Sequence, residues 1–328
     1  MSSKDAKINL TLAFVLNNAT VDDQGKSMQN PDPAAVQANI VNRVKQSTYA
    51  KDFALVWGPS LYLDPGTEGA SKGYSANVTA VFKGPSGDLR LVTSGTNATS
   101  DYDVKEEDND IGQTAASGLI SKAPSDASIS KGANAGAQHI INTTPGTGGS
   151  LVSYLQGQVG SGGTVVIVGH SLGGALASVL TLYLQEQLPS AKLNCHTFAA
   201  PTAGNQQFAD YFDQKMAGAS TRFFNTMDTV PDAWNATTIK NILTIYNPNI
   251  ETPQKVQDGI NNNLLLLDFL NYQQPGDGKT RLTGSVNTQI IKKQDTDFDD
   301  QAAYQHIQAY LKLLDMQIGD VWLPPPSS

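Results

Sequence analysis

The sequence predicts an α/β fold, a mainly parallel central sheet with helices on both faces. Residues Thr164 to Leu188, TVVIVGHSLGGALASVLTLYLQEQL, open on β-branched residues and turn at Gly169-His170-Ser171-Leu172-Gly173. They continue as an apolar run at helical spacing that stops before Pro189. From there onward helices alternate with strands, the pattern of a parallel sheet covered on both sides. The chain has 328 residues, 39% hydrophobic and 16% charged, enough to bury one large core, so residues 1–328 are read as a single domain.

Taken in order, Ile8 to Leu16 is apolar, is too short to span a bilayer, and is followed by no small-residue cleavage site. It reads as a first strand. After a polar loop, Pro33 starts a helix through Lys45 with Val36, Ile40, Val41 and Val44 along one face. Phe53 to Tyr62 reads as a strand broken by Gly58-Pro59. Ala76 to Lys83 and Leu89 to Thr93 read as a hairpin around Gly84-Pro85-Ser86-Gly87, and its second strand ends at Ser94-Gly95-Thr96-Asn97.

Between Asn97 and Lys122 the composition turns small, polar and acidic, with Asp101, Asp103, Glu106, Glu107, Asp108 and Asp110 close together. A solvated loop is the expectation. The spacing lacks the glycine and terminal bidentate Glu of a Ca²⁺ loop, so no metal is expected. Gly132 to Gln158 reads as two short helices joined by a glycine hinge at Pro145-Gly146-Thr147-Gly148-Gly149. Asn205 to Met216 reads as a helix, and Thr221 to Asn225 and Ile242 to Tyr246 as short strands. Asp295, Asp297, Asp299 and Asp300 supply negative charge and a cap to the start of the last helix.

The formal net charge is -8, the pI is about 4.9 and Lys/Arg residues form no stripe, which excludes nucleic acid as a partner. Cys195, the only cysteine, lies in an apolar run and reads as a small buried hydrophobe.

A strand, a sharp G-x-S-x-G turn and a helix hold one side chain clear of the sheet, here Ser171. A serine hydroxyl needs a base to take its proton and an acid to orient that base. The chain has four histidines. His170 adjoins Ser171 and points elsewhere, His139 precedes the nucleophile, and His196 lies inside an apolar strand with a structural hydrogen bond. His306 remains, near the beginning of a helix whose inward face carries Ile307, Tyr310, Leu311 and Leu314. Asp228 follows the strand-like TRFFN and is the leading acid, with Asp232 its rival, because catalytic groups in open α/β sheets collect at the carboxyl ends of strands. The oxyanion of a tetrahedral intermediate needs preorganised donors. The N–H of Leu172 is one, and Gly95-Thr96 is placed to give the second.

These segments resemble the class 3 lipases, the fungal-type triacylglycerol lipase and feruloyl esterase family of the α/β-hydrolase fold, from about Phe53 to Leu314. GHSLGGALA fits the family's nucleophile motif and TFAAPTAGN (Thr197 to Asn205) its TFGAPRVGN-type strand and turn. NTMDTVPDAW (Asn225 to Trp234) resembles the segment bearing the acid, which carries that role onto Asp228. SGTNATSDYD (Ser94 to Asp103) resembles the RGT…DW segment, which carries the second oxyanion donor onto Thr96. QHIQAYL (Gln305 to Leu311) is similar to the terminal histidine segment of bacterial members. Ser94 stands where the family has arginine, Val104 where it has an aromatic, and SKGA (Ser130 to Ala133) lacks the His and Phe of its Val-His-x-Gly-Phe segment.

The resemblance implies a serine carboxylester hydrolase with the triad Ser171, Asp228 and His306, no cofactor, and a small-molecule or lipid ester as substrate. Transient contact with a lipid interface is compatible with it. Thioester or amide hydrolysis would use the same triad. A silent hydrolase-fold binding protein would lack a triad member, and none is missing. A lid-like segment is expected near 97–131, with only Tyr102, Val104, Ile111, Leu119 and Ile120 as scattered apolar residues, so interfacial activation is expected to be weak. The insertion near 247–294, with its cluster Leu264 to Leu270, is the alternative cover.

Overall fold

The computed structural model describes residues 1–66, 72–101, 103–146, 148–160, 162–276 and 278–324. Tyr102 and Thr147, named above, lie outside them. Two helices open the chain, α1 (Ser3–Asn17) and α2 (Pro33–Gln46), before the antiparallel strands β1 (Ala54–Leu63), β2 (Ser75–Lys83) and β3 (Leu89–Thr93). A π-helical turn (Asp103–Asp108) leads to β4 (Gln113–Ala115) and β5 (Ser128–Ser130), then to α3 (Lys131–Asn142) and α4 (Leu151–Val159). Next come β6 (Thr164–His170), α5 (Leu172–Gln187), β7 (Lys192–Phe198), β8 (Gly204–Asn205), α6 (Gln206–Lys215) and β9 (Ser220–Asn225). The chain continues through α7 (Gln254–Leu270), β10 (Tyr272–Gln273), β11 (Lys279–Leu282), α8 (Asp297–His306) and α9 (Gln308–Leu313).

Among the described residues the main sheet has seven strands in the order β1-β2-β3-β6-β7-β9-β11, parallel from β3 onward. Alternation along β6 shows how both faces are covered. Val165 and Ile167 pack with Leu176 and Leu180 of α5 and with side chains of α3, α4 and α6. Val166 and Val168 point the opposite way, into a cluster with α1, α2 and Tyr310 and Leu311 of α9. A strand buried on both faces is a continuous apolar run, which is why VVIV carries no polar alternate. A third cluster, Ile239, Ile242, Tyr246, Ile260, Leu267 and Phe298, lies apart from both and joins α7 to α8.

The structure corrects several local readings. Residues Ile8 to Leu16 are not a strand but the body of α1, capped by the Ser2 hydroxyl accepting from the Asp5 N–H. Leu10 through Leu16 are all buried, so the apolar residues run round the whole helix and leave no 3.6-residue period to detect. Ile242 to Tyr246 is not a strand either. It spans the end of a 3₁₀ turn (Thr238–Leu243) and the turn after it, with Ile242 and Tyr246 both buried in the third cluster. The stretch Asn97 to Lys122 is more than a solvated loop, because Ala116 and Ile120 enter the main core and Glu107 is buried. His306 ends α8 instead of starting a helix. Ile307 interrupts the helical path and is partly exposed, while Tyr310 and Leu311 are buried as expected. Asp297 caps the loop before α8, accepting from the N–H groups of Lys292, Lys293 and Gln294. Gly58-Pro59 shifts the register of β1 without ending it.

Candidate active site

Ser171 joins β6 to α5 with φ 59° and ψ -134°. A non-glycine residue held there is strained, and such strain persists where the surrounding packing over-determines it. The flanking glycines show why. A Cβ on Gly169 would lie 1.9 Å from the Gly173 carbonyl oxygen, and one on Gly173 would lie 2.5 Å from the Ser94 carbonyl oxygen. Only glycine lets the first turn of α5 fold back on the strand and press against the end of β3.

The Ser171 hydroxyl is 2.9 Å from His306 Nε2, and His306 Nδ1 is 3.0 Å from Asp228 Oδ2 and 3.1 Å from Oδ1. Asp228, just beyond β9, is 1% exposed. It also accepts from the Tyr310 hydroxyl at 2.9 Å and from the Val230 N–H at 3.1 Å, while Tyr310 accepts from the Asn225 N–H at 2.9 Å. A carboxylate so held can keep imidazole Nδ1 protonated and Nε2 free to take a proton from the hydroxyl. Asp232 has other partners. Its carbonyl accepts from Thr238 Oγ1, and burial raises its carboxyl to about 6.

The other three histidines are occupied. His170 Nδ1 accepts from Asn17 Nδ2 at 3.2 Å and Nε2 donates to the His306 carbonyl at 2.8 Å, so it is neutral and fixes the backbone of His306. Burial, then His306, depresses its pKa. His196 Nδ1 accepts from Asn9 Nδ2 at 2.7 Å, and burial lowers it to about 4. His139 lies 3.1 Å from Glu107.

Leu172 is the first residue of α5, where the helix supplies no acceptor for the N–H. On the other side of Ser171, a Cβ on Gly95 would lie 2.7 Å from the His170 carbonyl oxygen, and the Gly95 N–H donates to Asn17 Oδ1 at 2.7 Å. Asn17 thus ties α1 to both the Gly95-Thr96 loop and His170, a role hidden by the strand reading of this region. Thr96 Oγ1 donates to Asp108 Oδ2 at 2.8 Å. Burial raises Asp108 to about 6, with Thr96 opposing and Glu107 adding to the shift. In the sequence Asp108 was one acid in a polar run, with nothing to separate it from its neighbours.

Residues 150–238 match the family described as lipase (class 3), a span that contains Ser171, Leu172 and Asp228. The match covers about a quarter of the chain. The chain's structure resembles that of M37 lipase, with a TM-score of 0.79 at 24% identity over 98% of this chain and 96% of that one. This likeness shows a shared α/β-hydrolase fold. Lip2 lipase from Yarrowia lipolytica aligns with a TM-score of 0.50 at 16% identity over 70% of this chain and 73% of that one. A secreted alkaline triacylglycerol lipase of Penicillium cyclopium is 38% identical over 73 residues, 22% of this chain, and the chain spans 25% of that relative's length.

Two cavities of about 350 Å³ each meet at Ser171. One runs under α1 and the chain end, between Phe14, Asn18, Thr96, His306, Ile307 and Leu323. The other is walled by Pro201, Val230, Trp234, Ile239, Val256 and Ile260 and has Asp108 and Asn109 at its rim. Among the described residues no group of three or more His, Cys, Asp or Glu side chains forms a metal site.

Proposed function

We propose that this chain is a serine carboxylester hydrolase, a triacylglycerol lipase or carboxylesterase, acting through Ser171, His306 and Asp228. The observation that carries the reading is the unbroken hydrogen-bond path from the Ser171 hydroxyl at 2.9 Å to His306 and at 3.0 Å to buried Asp228. Ser171 attacks the ester carbonyl as His306 takes its proton. His306 then protonates the leaving alcohol, and water, activated by the same imidazole, cleaves the acyl enzyme. Asp228 orients the imidazole and stabilises its cation, and no cofactor enters these steps.

The oxyanion is held by the N–H groups of Leu172 and Thr96. The Thr96 hydroxyl already donates to Asp108, so its contribution to the oxyanion is the backbone N–H. Loss of one such donor typically lowers the rate roughly 10²- to 10³-fold.

The cavity bounded by Trp234, Ile239, Val256 and Ile260 takes the acyl chain, because its walls offer an alkyl group apolar contact. Its cover comes chiefly from α7. Val256 and Ile260 face the cavity, while Leu265 and Phe269 on the same helix are 88% and 85% exposed. Gly259 to Leu267 carries no charge, which suits the surface of a neutral, insoluble ester. Residues 97–131 add the rim at Asp108 and Asn109, while Ile120 and Ile129 anchor that segment in the core.

A panel of p-nitrophenyl and glycerol esters of rising acyl length, assayed below and above their solubility limits, tests the reading. Hydrolysis of several members is expected. A folded protein that hydrolyses none of them overturns it and leaves a binding protein of this fold.

A further inference from the structure

The side chain next to Asp108 faces away from the cavity. Glu107 is 2% exposed, accepts from Asn77 Nδ2 of β2 at 2.9 Å, and lies 3.1 Å from His139 Nδ1 on α3. The His139 ring stacks on Tyr62 of β1 with centroids 3.6 Å apart and planes 7° from parallel. Where the turn meets α3 the helix carries glycine. A Cβ on Gly132 would lie 2.0 Å from the Glu107 carbonyl oxygen, and one on Gly136 would lie 2.6 Å from Glu107 Oε2.

We propose that Glu107 is a positioning residue for the oxyanion site: its pairing with His139 and Asn77 fixes the π-helical turn 103–108 so that Asp108 holds Thr96 beside Ser171. The proposal rests on the assignment of Thr96 made above. Glu107 and Asp108 are consecutive, so one backbone geometry sets both carboxylates, one toward the scaffold and one toward the site. Burial raises both acids and Glu107 raises Asp108 further, and a loop with no positioning task would relieve that repulsion by turning one acid to water. Contact with Gly132 and Gly136 leaves the turn no room to settle closer to α3. Were the turn to slide, Asp108 would withdraw its acceptor from Thr96 Oγ1, and the Thr96 N–H would leave the narrow range in which it can serve an oxyanion. A misplacement of about 1 Å at such a site can lower the rate on the order of 10²-fold.

A double-mutant cycle tests this, with kcat and KM for a soluble ester measured per active site titrated by a fluorophosphonate. Glu107→Gln keeps the side-chain size and replaces the carboxyl group that meets His139 and Asn77. The expected result is a lower kcat at near-constant KM for Glu107→Gln, a larger fall for Thr96→Val, and no further fall in the double variant, because both changes act through one donor. His139→Gln shows the same pattern and replaces Glu107→Gln should that variant not fold. A merely structural role would lower the melting temperature and the titrated fraction, leave turnover per site at the wild-type value, and overturn the proposal. Independent, multiplicative losses in the double variant overturn it as well. Wild-type turnover in Thr96→Val, which keeps the backbone N–H and loses only the hydroxyl bond to Asp108, overturns this proposal and leaves the oxyanion assignment standing.

Discussion

Ser171 follows β6 directly and Asp228 lies just beyond β9, whereas Val256, Ile260 and Trp234 reach the same space from the segment between β9 and β11. The first pair is held by the sheet. Neighbouring strands fix the ends of β6 and β9, and Gly169, Gly173 and Tyr310 leave each side chain one place to go. The cover is held by its own cluster, Ile239, Ile242, Tyr246, Ile260, Leu267 and Phe298, which lies apart from the two main cores. On the proposed function, chemistry and substrate choice therefore sit on different supports. Changes in one should leave the other standing, and the experiments below are ordered by how strongly they would separate the two.

The largest effects belong to the sheet side. Ser171→Ala or His306→Ala should lower kcat by roughly 10⁶-fold with the melting temperature near wild type, since removal of either member disables the whole unit. Asp228→Asn should lower kcat roughly 10⁴-fold by favouring the wrong imidazole tautomer. Asp232→Asn, measured beside it, should leave kcat close to wild type, and the reverse order would exchange the two acids.

On the cover side, Ile260→Trp fills the wall of the apolar cavity. It should lower kcat/KM for long acyl esters relative to acetate by roughly 10-fold, the scale on which a hydrophobic pocket discriminates by size. Acetate turnover itself should hold. A uniform loss across all chain lengths would mean that the cover and the sheet-held residues are not separable.

The last effect is on stability and leaves both the Ser171–His306–Asp228 contacts and the cover in place. His196 is buried and neutral, its pKa lowered to about 4 by burial and by Arg90. The unfolded chain binds this proton near pH 6.5 and the folded chain does not, so stability is present above about pH 6.5 and is lost as pH falls toward 4. The loss from this residue is about 3 kcal/mol. His196→Gln should flatten the acid limb of a plot of urea midpoint against pH, and an unchanged slope would show that His196 is protonated in the native state.

What could be read in advance follows the same division. The β6 turn was legible because a parallel strand, a strained serine and two close-packed glycines leave a local signature in the sequence. The contact of His306 with Ser171 was reached by elimination among four histidines, although His306 proved to end a helix rather than begin one. α1 was misread because a helix buried on every side has no period, and with it went the part played by Asn17. Glu107 and Asp108 stand in a run of six acids, and it is the approach of Thr96, Asn77 and His139 from other parts of the chain that distinguishes the pair. Long-range partners of this kind have no sequence spacing to betray them.

The most direct test of the central claim is to trap the acyl enzyme. The active protein is mixed with a slowly deacylating ester or a fluorophosphonate, digested, and the adduct mapped by mass spectrometry. One adduct per chain on the Ser171 peptide, absent from Ser171→Ala, is the predicted result. Turnover by a protein whose adduct lies on another residue, or which forms none, would contradict the account.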